Sequence, residues 1–510
     1  MKTYRLRLAT IGATVLAMSL VGCGAGSTDT QGTTATELKL AVAVDNDTFD
    51  PAQLSGGAKD NYWQAVYDTV LKLNYETLKP EPNLATEWSY NSDKTELTVK
   101  LRDDVKFSDG SKLTAEALKV NALALRDNSG SSSIMMTHLA DVQVVDEKTA
   151  VYKLKEADPA FVGYLTTMGG AIGNPKNVGT KDIATKPAGS GPYILDDSRT
   201  VAASQYVFKR NPAYWNTKSF PYDEIDLLPI NEASARVNAV KSHQVNGGVY
   251  DPAARQELES SGLKVGSQAV DWRGLMLVDR EGKMTPALSD VRVRQAINYA
   301  LDRKSFLDNI ELGQGVTTSQ IFIPGNVGYV PELDNRYPFD PAKAKELLKE
   351  AGYADGFDLV LPAFDFRSGV QPVMVQQLAD VGIRVKTQQV VPDQYNSVMK
   401  SGKFSAFWMQ LTSGDAWRNV EKTLPAKATW NSFHTQSPEL TALIDKARAA
   451  YGDDKAYKDA MGAVSTYIVE QAYFAPWYRI NSLFVTDNTF DFTYTPWATT
   501  PELRTYRPTS

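Results

Sequence analysis

The sequence predicts an α/β protein of two or three domains. Its 510 residues are too many for one ordinary core. Strands of alternating apolar residues recur along the chain with helices of 3.6-residue periodicity between them. One run, Phe404 to Trp417 (FSAFWMQLTSGDAW), is a strand rich in aromatic residues that breaks at Ser413-Gly414 and leaves Asp415 at its carboxyl end. Open α/β sheets expose ligand groups at that end, so Asp415 is a candidate to hold a cationic group, with Trp408 and Trp417 beside it. The same residues also fit a plainer role, Asp415 capping the next turn and Trp408 in the core.

The chain opens with Lys2, Arg5 and Arg7 before an apolar run, Leu8 to Val21, which has the length of a signal-peptide hydrophobic region and is short for a membrane span. The run closes on Leu20-Val21-Gly22-Cys23, which resembles the bacterial lipobox, in which the cysteine takes a diacylglycerol and becomes the new first residue. The alternative is an uncleaved anchor helix. The lipobox reading makes residues 1–22 a leader and Cys23 the anchor. It makes 24–36, rich in Gly, Ser and Thr, a flexible tether with a reach of roughly 20 Å. Cys23 is the single cysteine, so a lipidated Cys23 leaves no thiol for a disulfide, catalysis or a metal. Without the leader's three basic residues the 54 Lys and Arg fall short of the 60 Asp and Glu by about 9. Such an acidic chain is a poor partner for nucleic acid, whose phosphates need a basic face.

Folded structure is expected from about Glu37, where Leu38, Leu40, Val42 and Val44 alternate as a strand. Asp50-Pro51 turns the chain into Ser55-Gly56-Gly57, a corner whose backbone can approach a ligand or simply turn. Asn61 to Leu73 reads as a helix with Trp63, Val66, Tyr67, Val70 and Leu71 inward. Leu97, Val99 and Leu101 form a strand, Ser108-Asp109-Gly110 a turn, and Thr114 the cap of a further helix. Asp290 to Arg303 reads as a helix capped by Ser289. Asp340 to Gly352 carries an Asp cap, Pro at the first helical position and a Gly stop. Gly382 turns a third helix into a strand.

Several of these segments, LRDDVKFSDG followed by LTAE above all, resemble the family 5 extracytoplasmic solute-binding proteins of peptide-type and nickel-type ABC importers. The resemblance continues through NYWQAVYDTVL (61–71), PNLATEW (82–88), GSGPYIL (189–195), RNPAYW (210–215), DVRVRQAINYALDR (290–303) and QLADVGIRV (377–385). It implies a two-lobed periplasmic-binding-protein-like fold, type II of the large cluster C kind, with an extra subdomain in the first lobe. On that basis lobe I comprises 37–60, 185–271 and 480–510, the subdomain 61–184, and lobe II 272–479. The hinge crossings fall on Ala269 to Val278 and Phe474 to Val485. The family also implies a monomer on the extracytoplasmic face of the membrane, working with an ABC permease and its ATPase.

No phosphate-binding loop, HExxH helix, GxSxG elbow or paired cysteines occur, so the enzyme classes built on them lose support, and no cofactor is expected. His138, His243 and His434 share no ligand spacing, so surface or capping roles and no metal site are expected of them, a site gathered by the tertiary fold being the alternative. Binding remains. In the dipeptide-binding branch an Asp after a Trp-containing strand receives the ligand's α-ammonium and an Arg in the preceding strand–helix loop its carboxylate. Asp415 matches the first position, and Arg367, in FDFRSG (364–369), matches the second. The chain departs from the family pattern after the Asp, at Ala416-Trp417-Arg418-Asn419, where Arg418 can neutralise Asp415 internally; Arg367 can likewise pair with Asp365. A peptide is the expected solute, with a nickel chelate, an oligosaccharide stacked on Trp408, Trp417 and Trp430, or an opine-like compound as alternatives. A secreted hydrolase is the reading from another class.

Overall fold

The computed structural model describes residues 37–364, 369–412, 414–494, 496 and 498–509. The leader, Cys23 and the tether lie outside the described residues. Among those described, no helix is long and apolar enough to cross a membrane.

The fold is α/β and two-lobed, organised on a nine-stranded mixed sheet. Its first strand, Glu37–Val42, pairs in parallel with Glu224–Pro229 and Gly247–Tyr250. Leu38, Leu40 and Val42 bury one face as the alternation predicts, and Ala41 is buried on the other, because helices cover both sides of such a strand. Val44 lies past the strand's end and is exposed. Tyr206–Arg210 and Tyr193–Leu195 extend the sheet antiparallel on one side. A separate four-stranded antiparallel sheet contains Ala85–Tyr90, Glu96–Leu101, Thr149–Leu154 and Leu139–Val144. Leu97, Val99 and Leu101 there bury the face turned to the helix Ala115–Asp127, whose Leu118 and Leu125 are also buried.

Two long strands lie side by side within the large sheet. Lys264–Leu277 and Phe474–Thr486 pair antiparallel along almost their whole length. At one end the second of them pairs with Gly247–Tyr250; at the other the first pairs with Ala406–Thr412. The register shifts at Ala269/Asp271, between these ends, and again at Arg273/Gly274, within the part paired to Ala406–Thr412. Such irregularities bend a strand and increase its twist. Pro476, opposite Gly274, has no N–H for the ladder, and its carbonyl instead accepts from buried Arg303 Nε at 2.8 Å.

Three helices differ from the sequence reading. The helix expected over Asn61 to Leu73 runs only Asp60–Val66, and Leu71–Leu73 is a strand. Asp68 is drawn out of helical path by hydrogen bonds from Tyr214 Oη (3.0 Å) and Trp215 Nε1 (2.9 Å). The helix expected over Asp290 to Arg303 is two, Val291–Tyr299 and Arg303–Asn309, capped by Asp290 and Asp302. Ser289 belongs to the preceding 3₁₀ turn. The break lets the Arg303 guanidinium reach the carbonyls of Asn298, Thr318, Tyr337 and Pro476, acceptors that helical continuity would have denied it. Thr114 precedes its helix in extended conformation without giving a side-chain cap. The expected Pro341–Glu350 helix has its Asp340 cap, and Gly352 and Gly382 both take positive φ.

The two crossing strands approach so closely at Gly274 that a Cβ there would lie 2.3 Å from the Ala475 carbonyl oxygen and 2.6 Å from Pro476 Cα. Gly274→Ala is therefore expected to lose about 1–3 kcal/mol of stability by overpacking, read from urea or thermal unfolding. Gly163→Ala, where nothing lies within 4 Å of the added carbon, is the matched control and should unfold as the parent does.

Candidate functional site

Ala406–Thr412 lies at the edge of the large sheet, with Leu275 opposite Trp408 and Asp271 opposite Thr412. Phe407, Trp408 and Met409 are all buried, so this strand packs on both faces. Trp408 stacks on Phe364 (centroids 5.5 Å apart, planes at 14°), and its carbonyl accepts from Tyr395 Oη at 2.9 Å. The chain then turns through Gly414, whose carbonyl accepts from Asn326 Nδ2 at 2.6 Å, and Asp415 caps the helix Ala416–Thr423 by accepting from the Arg418 amide at 2.9 Å.

That helix divides into two faces. Ala416, Trp417, Asn419, Val420 and Thr423 are buried in the lobe, while Arg418, Glu421 and Lys422 lie on the other side with Asp415 at their start. Trp417 is fully buried, with the Arg448 guanidinium 5.5 Å from its ring. Opposite Glu421 lies the segment 138–164. His138 Nε2 is 2.9 Å from Glu421 Oε1, and Tyr164 Oη donates to Glu421 Oε2 at 3.4 Å. His138 Nδ1 is 3.0 Å from Glu156 Oε1, and Arg448 pairs with the other Glu156 oxygen. Asp158 is buried, one oxygen accepting from the Ala160 amide at 2.9 Å. The Arg418 guanidinium is 6.0 Å from the Tyr164 ring.

This seam is charged and largely buried, and both shift the protonation equilibria along it. Burial raises Asp158 and Asp415 above the usual carboxylate range, and the nearby Glu421 charge adds to both shifts. The hydrogen bond to Glu421 holds His138 up, against the effect of its burial. Burial, with Arg418 close by, lowers Lys422 to about 7. For Asp415 the Arg418 amide and guanidinium both oppose the rise without cancelling it.

Of the residues singled out from sequence, Trp408, Asp415 and Trp417 come together at the end of one strand, the two tryptophans behind the seam and Asp415 on it. The contacts of Gly56 and Gly57 run instead to Asp60, Met168, Thr499 and Thr500. Gly57 needs its glycine, at φ +80°, to start the turn that Asp60 closes. Arg367 and its loop neighbour Asp365 lie outside the described residues. Trp430 is buried under Lys400. His138, Asp158, Glu421 and Arg448 were not found from sequence. Histidine spacing could not reveal them, because His138 and Glu421 are 283 positions apart. The other two histidines lie elsewhere, His243 near Asp487 and His434 on the Ala426 carbonyl. Beside the hinge, a cavity of about 240 Å³ is lined by Asp251, Arg273, Glu311 and Ile480 among others, with Arg273 tied to Glu311 and Gln410.

The chain belongs to family 5 of the bacterial extracellular solute-binding proteins, the binding components of ABC importers; the model of that family's middle region matches residues 79–424. It is 27% identical over 363 residues to the glutathione-binding protein GsiB of Salmonella typhi, covering 69% of each chain. Its fold is similar to that of HbpA2 from Haemophilus parasuis, with a TM-score of 0.81 at 18% identity over 93% of this chain and 100% of that one. It is similar also to DppA from Helicobacter pylori, an ABC transporter-associated periplasmic binding protein in complex with the peptide STSA. That match has a TM-score of 0.76 at 21% identity over 95% and 100% of the two chains.

The seam is held by unequal contacts. Arg448 and Glu156 have side chains 26% and 43% exposed, whereas Lys79 and Asp454, an ion pair between other elements, are 65% and 81% exposed. Arg448→Ala is expected to loosen the two sides and raise the radius of gyration in small-angle scattering. Lys79→Ala should leave it unchanged, because an exposed pair contributes about 0–1 kcal/mol.

Proposed function

We propose that this protein is the lipid-anchored receptor of an ABC importer, which closes two lobes over a small peptide and delivers it to the permease without covalent chemistry. The observation that carries the reading is the placement of Asp415. It sits at the carboxyl end of a sheet strand, on a seam lined from two distant segments and crowded with carboxylates, where an α-ammonium would find a poorly solvated partner. GsiB and DppA, named for or captured with peptide-like ligands, support the same class. Arg367 is proposed for the ligand's carboxylate. The strand pattern supports lobe I as 37–60, 185–271 and 480–510, the inserted subdomain as 61–184 and lobe II as 272–479, with the seam then between subdomain and lobe II. Gly56 and Gly57 remain proposed as a backbone edge of the cleft. Trp408 and Trp417 serve as its packed floor, which leaves a sugar-stacking reading without its platform. The protein acts as a monomer and a binder, not a catalyst.

Mass spectrometry of co-purified ligand identifies the solute. Asp415→Asn is expected to weaken a free-amine peptide by about 3–5 kcal/mol, roughly two to four decades in Kd, by leaving the ammonium unpaired. An N-acetylated peptide should lose much less, and calorimetry on the two ligands decides. Equal affinity of parent and variant for the native solute would sink the peptide reading while leaving the family intact.

Anchoring has its own test. Cys23→Ser is expected to move the protein from the membrane fraction to the soluble one, or to leave it unprocessed. An unchanged mature mass in the membrane fraction would remove the lipid anchor from the proposal.

A further inference from the structure

We infer that His138, Asp158 and Glu421 form a site for one divalent transition-metal ion of the zinc class, which ties the two sides of the seam together. The inference stands on these side chains alone and does not depend on which solute the protein carries. One ligand atom from each residue lies within 4.8 Å of the other two. Around a tetrahedral ion with bonds of about 2.0–2.2 Å, ligand atoms stand roughly 3.3–3.6 Å apart. His138 Nε2 and Glu421 Oε1, at 2.9 Å, lie just inside that separation, and the Asp158 oxygen is within 4.8 Å of the ligand atoms of both residues.

The surroundings fit the same use. His138 Nδ1 faces Glu156 Oε1 at 3.0 Å, and Glu156 is itself held by Arg448. A carboxylate behind a histidine fixes its tautomer and leaves the opposite nitrogen free to ligate, an arrangement general to histidine–metal sites. Tyr164 Oη holds Glu421 through Oε2 and so leaves Oε1 for an ion, while the Ala160 amide holds one oxygen of Asp158 and leaves the other. The nearest guanidinium on the site helix, Arg418, is turned to the Tyr164 ring. One imidazole with two carboxylates suits zinc or its neighbours better than calcium or magnesium, which take all-oxygen sets. Three protein ligands also leave a coordination position open to water or to a donor atom of a solute.

A second group of three carboxylates, Glu37, Glu224 and Asp226, lacks a histidine and has Arg199 forked onto Glu224 at 2.6 Å through both nitrogens. With Glu224 engaged in that way, it serves as the internal control.

Because His138 and Asp158 belong to one segment and Glu421 to another, an ion held by all three stabilises their approach by its affinity for that arrangement. The test uses the mature chain stripped with a chelator and dialysed against Zn²⁺ alone, with metal counted by mass spectrometry and Co²⁺ absorption reporting ligand geometry. The expected result is one tightly bound equivalent per chain and a metal-dependent rise in Tm. His138→Gln and Glu421→Gln should each weaken binding by about a hundredfold or more, and Glu156→Gln by about 10–100-fold, with circular dichroism confirming that each variant folds. Glu37→Gln should bind as the parent does. Absence of a stoichiometric ion in the parent chain would overturn the inference, as would binding that both His138→Gln and Glu421→Gln leave unchanged.

Discussion

The antiparallel ladder between Lys264–Leu277 and Phe474–Thr486 is the constraint from which the rest of the molecule is hung. A ladder of this length cannot slip by one residue without turning every side chain to the wrong face, so it fixes the register of both lobes at once. Of its two irregularities, Ala269/Asp271 lies between the part paired to Gly247–Tyr250 and the part paired to Ala406–Thr412, and Arg273/Gly274 lies within the latter. Buried cations lock the second part. Arg479 pairs with Asp334 at 2.6 Å and reaches the Phe322 carbonyl, and Arg303 is satisfied almost wholly by backbone carbonyls. Burial lowers Arg303 only to about 10, so it stays charged at neutral pH, and its hydrogen bonds replace the water it has lost.

The seam reverses that logic. Beside the crossing strands Arg303 and Arg479 have fixed sets of partners, but along Asp415, Glu421, Asp158 and His138 carboxylates outnumber the cations that touch them. Like charges brought out of water repel strongly, and they are tolerated where a further positive group is to be held. The partners come from both sides, so the electrostatic match exists only when the two segments meet. The proposed ligand ammonium and the proposed metal ion would meet the same requirement in different ways, one by hydrogen bonds to Asp415, the other by coordination farther along at Glu421. Either would link occupancy of the seam to the approach of the two segments that line it.

Much of this could be read locally. The alternation of Leu38, Leu40 and Val42, the Asp340 cap with Pro341, and the Gly352 and Gly382 stops are decided within a turn or a strand, and they stand in the structure as the sequence implies. The position of Asp415 after an aromatic strand is likewise a local fact, and so is its role as a helix cap. Motifs in order along the chain were enough to indicate the family.

What the sequence could not decide were outcomes set by distant partners. The helix after Asp60 stops at Val66 because Tyr214 and Trp215 take Asp68, and the helix after Asp290 breaks because the Arg303 guanidinium is needed by carbonyls far along the chain. The apparent platform of Trp408 and Trp417 is packed interior, since Phe364, Tyr395 and Arg448 cover it from other elements. His138 gained neighbours that no spacing of histidines encodes. The sequence by itself determined the element types, the caps and stops, and the class of fold, because these follow from backbone preference and short-range periodicity. Only the tertiary structure decided which charges face one another across the seam, because burial and proximity between residues hundreds of positions apart arise when the whole chain is folded.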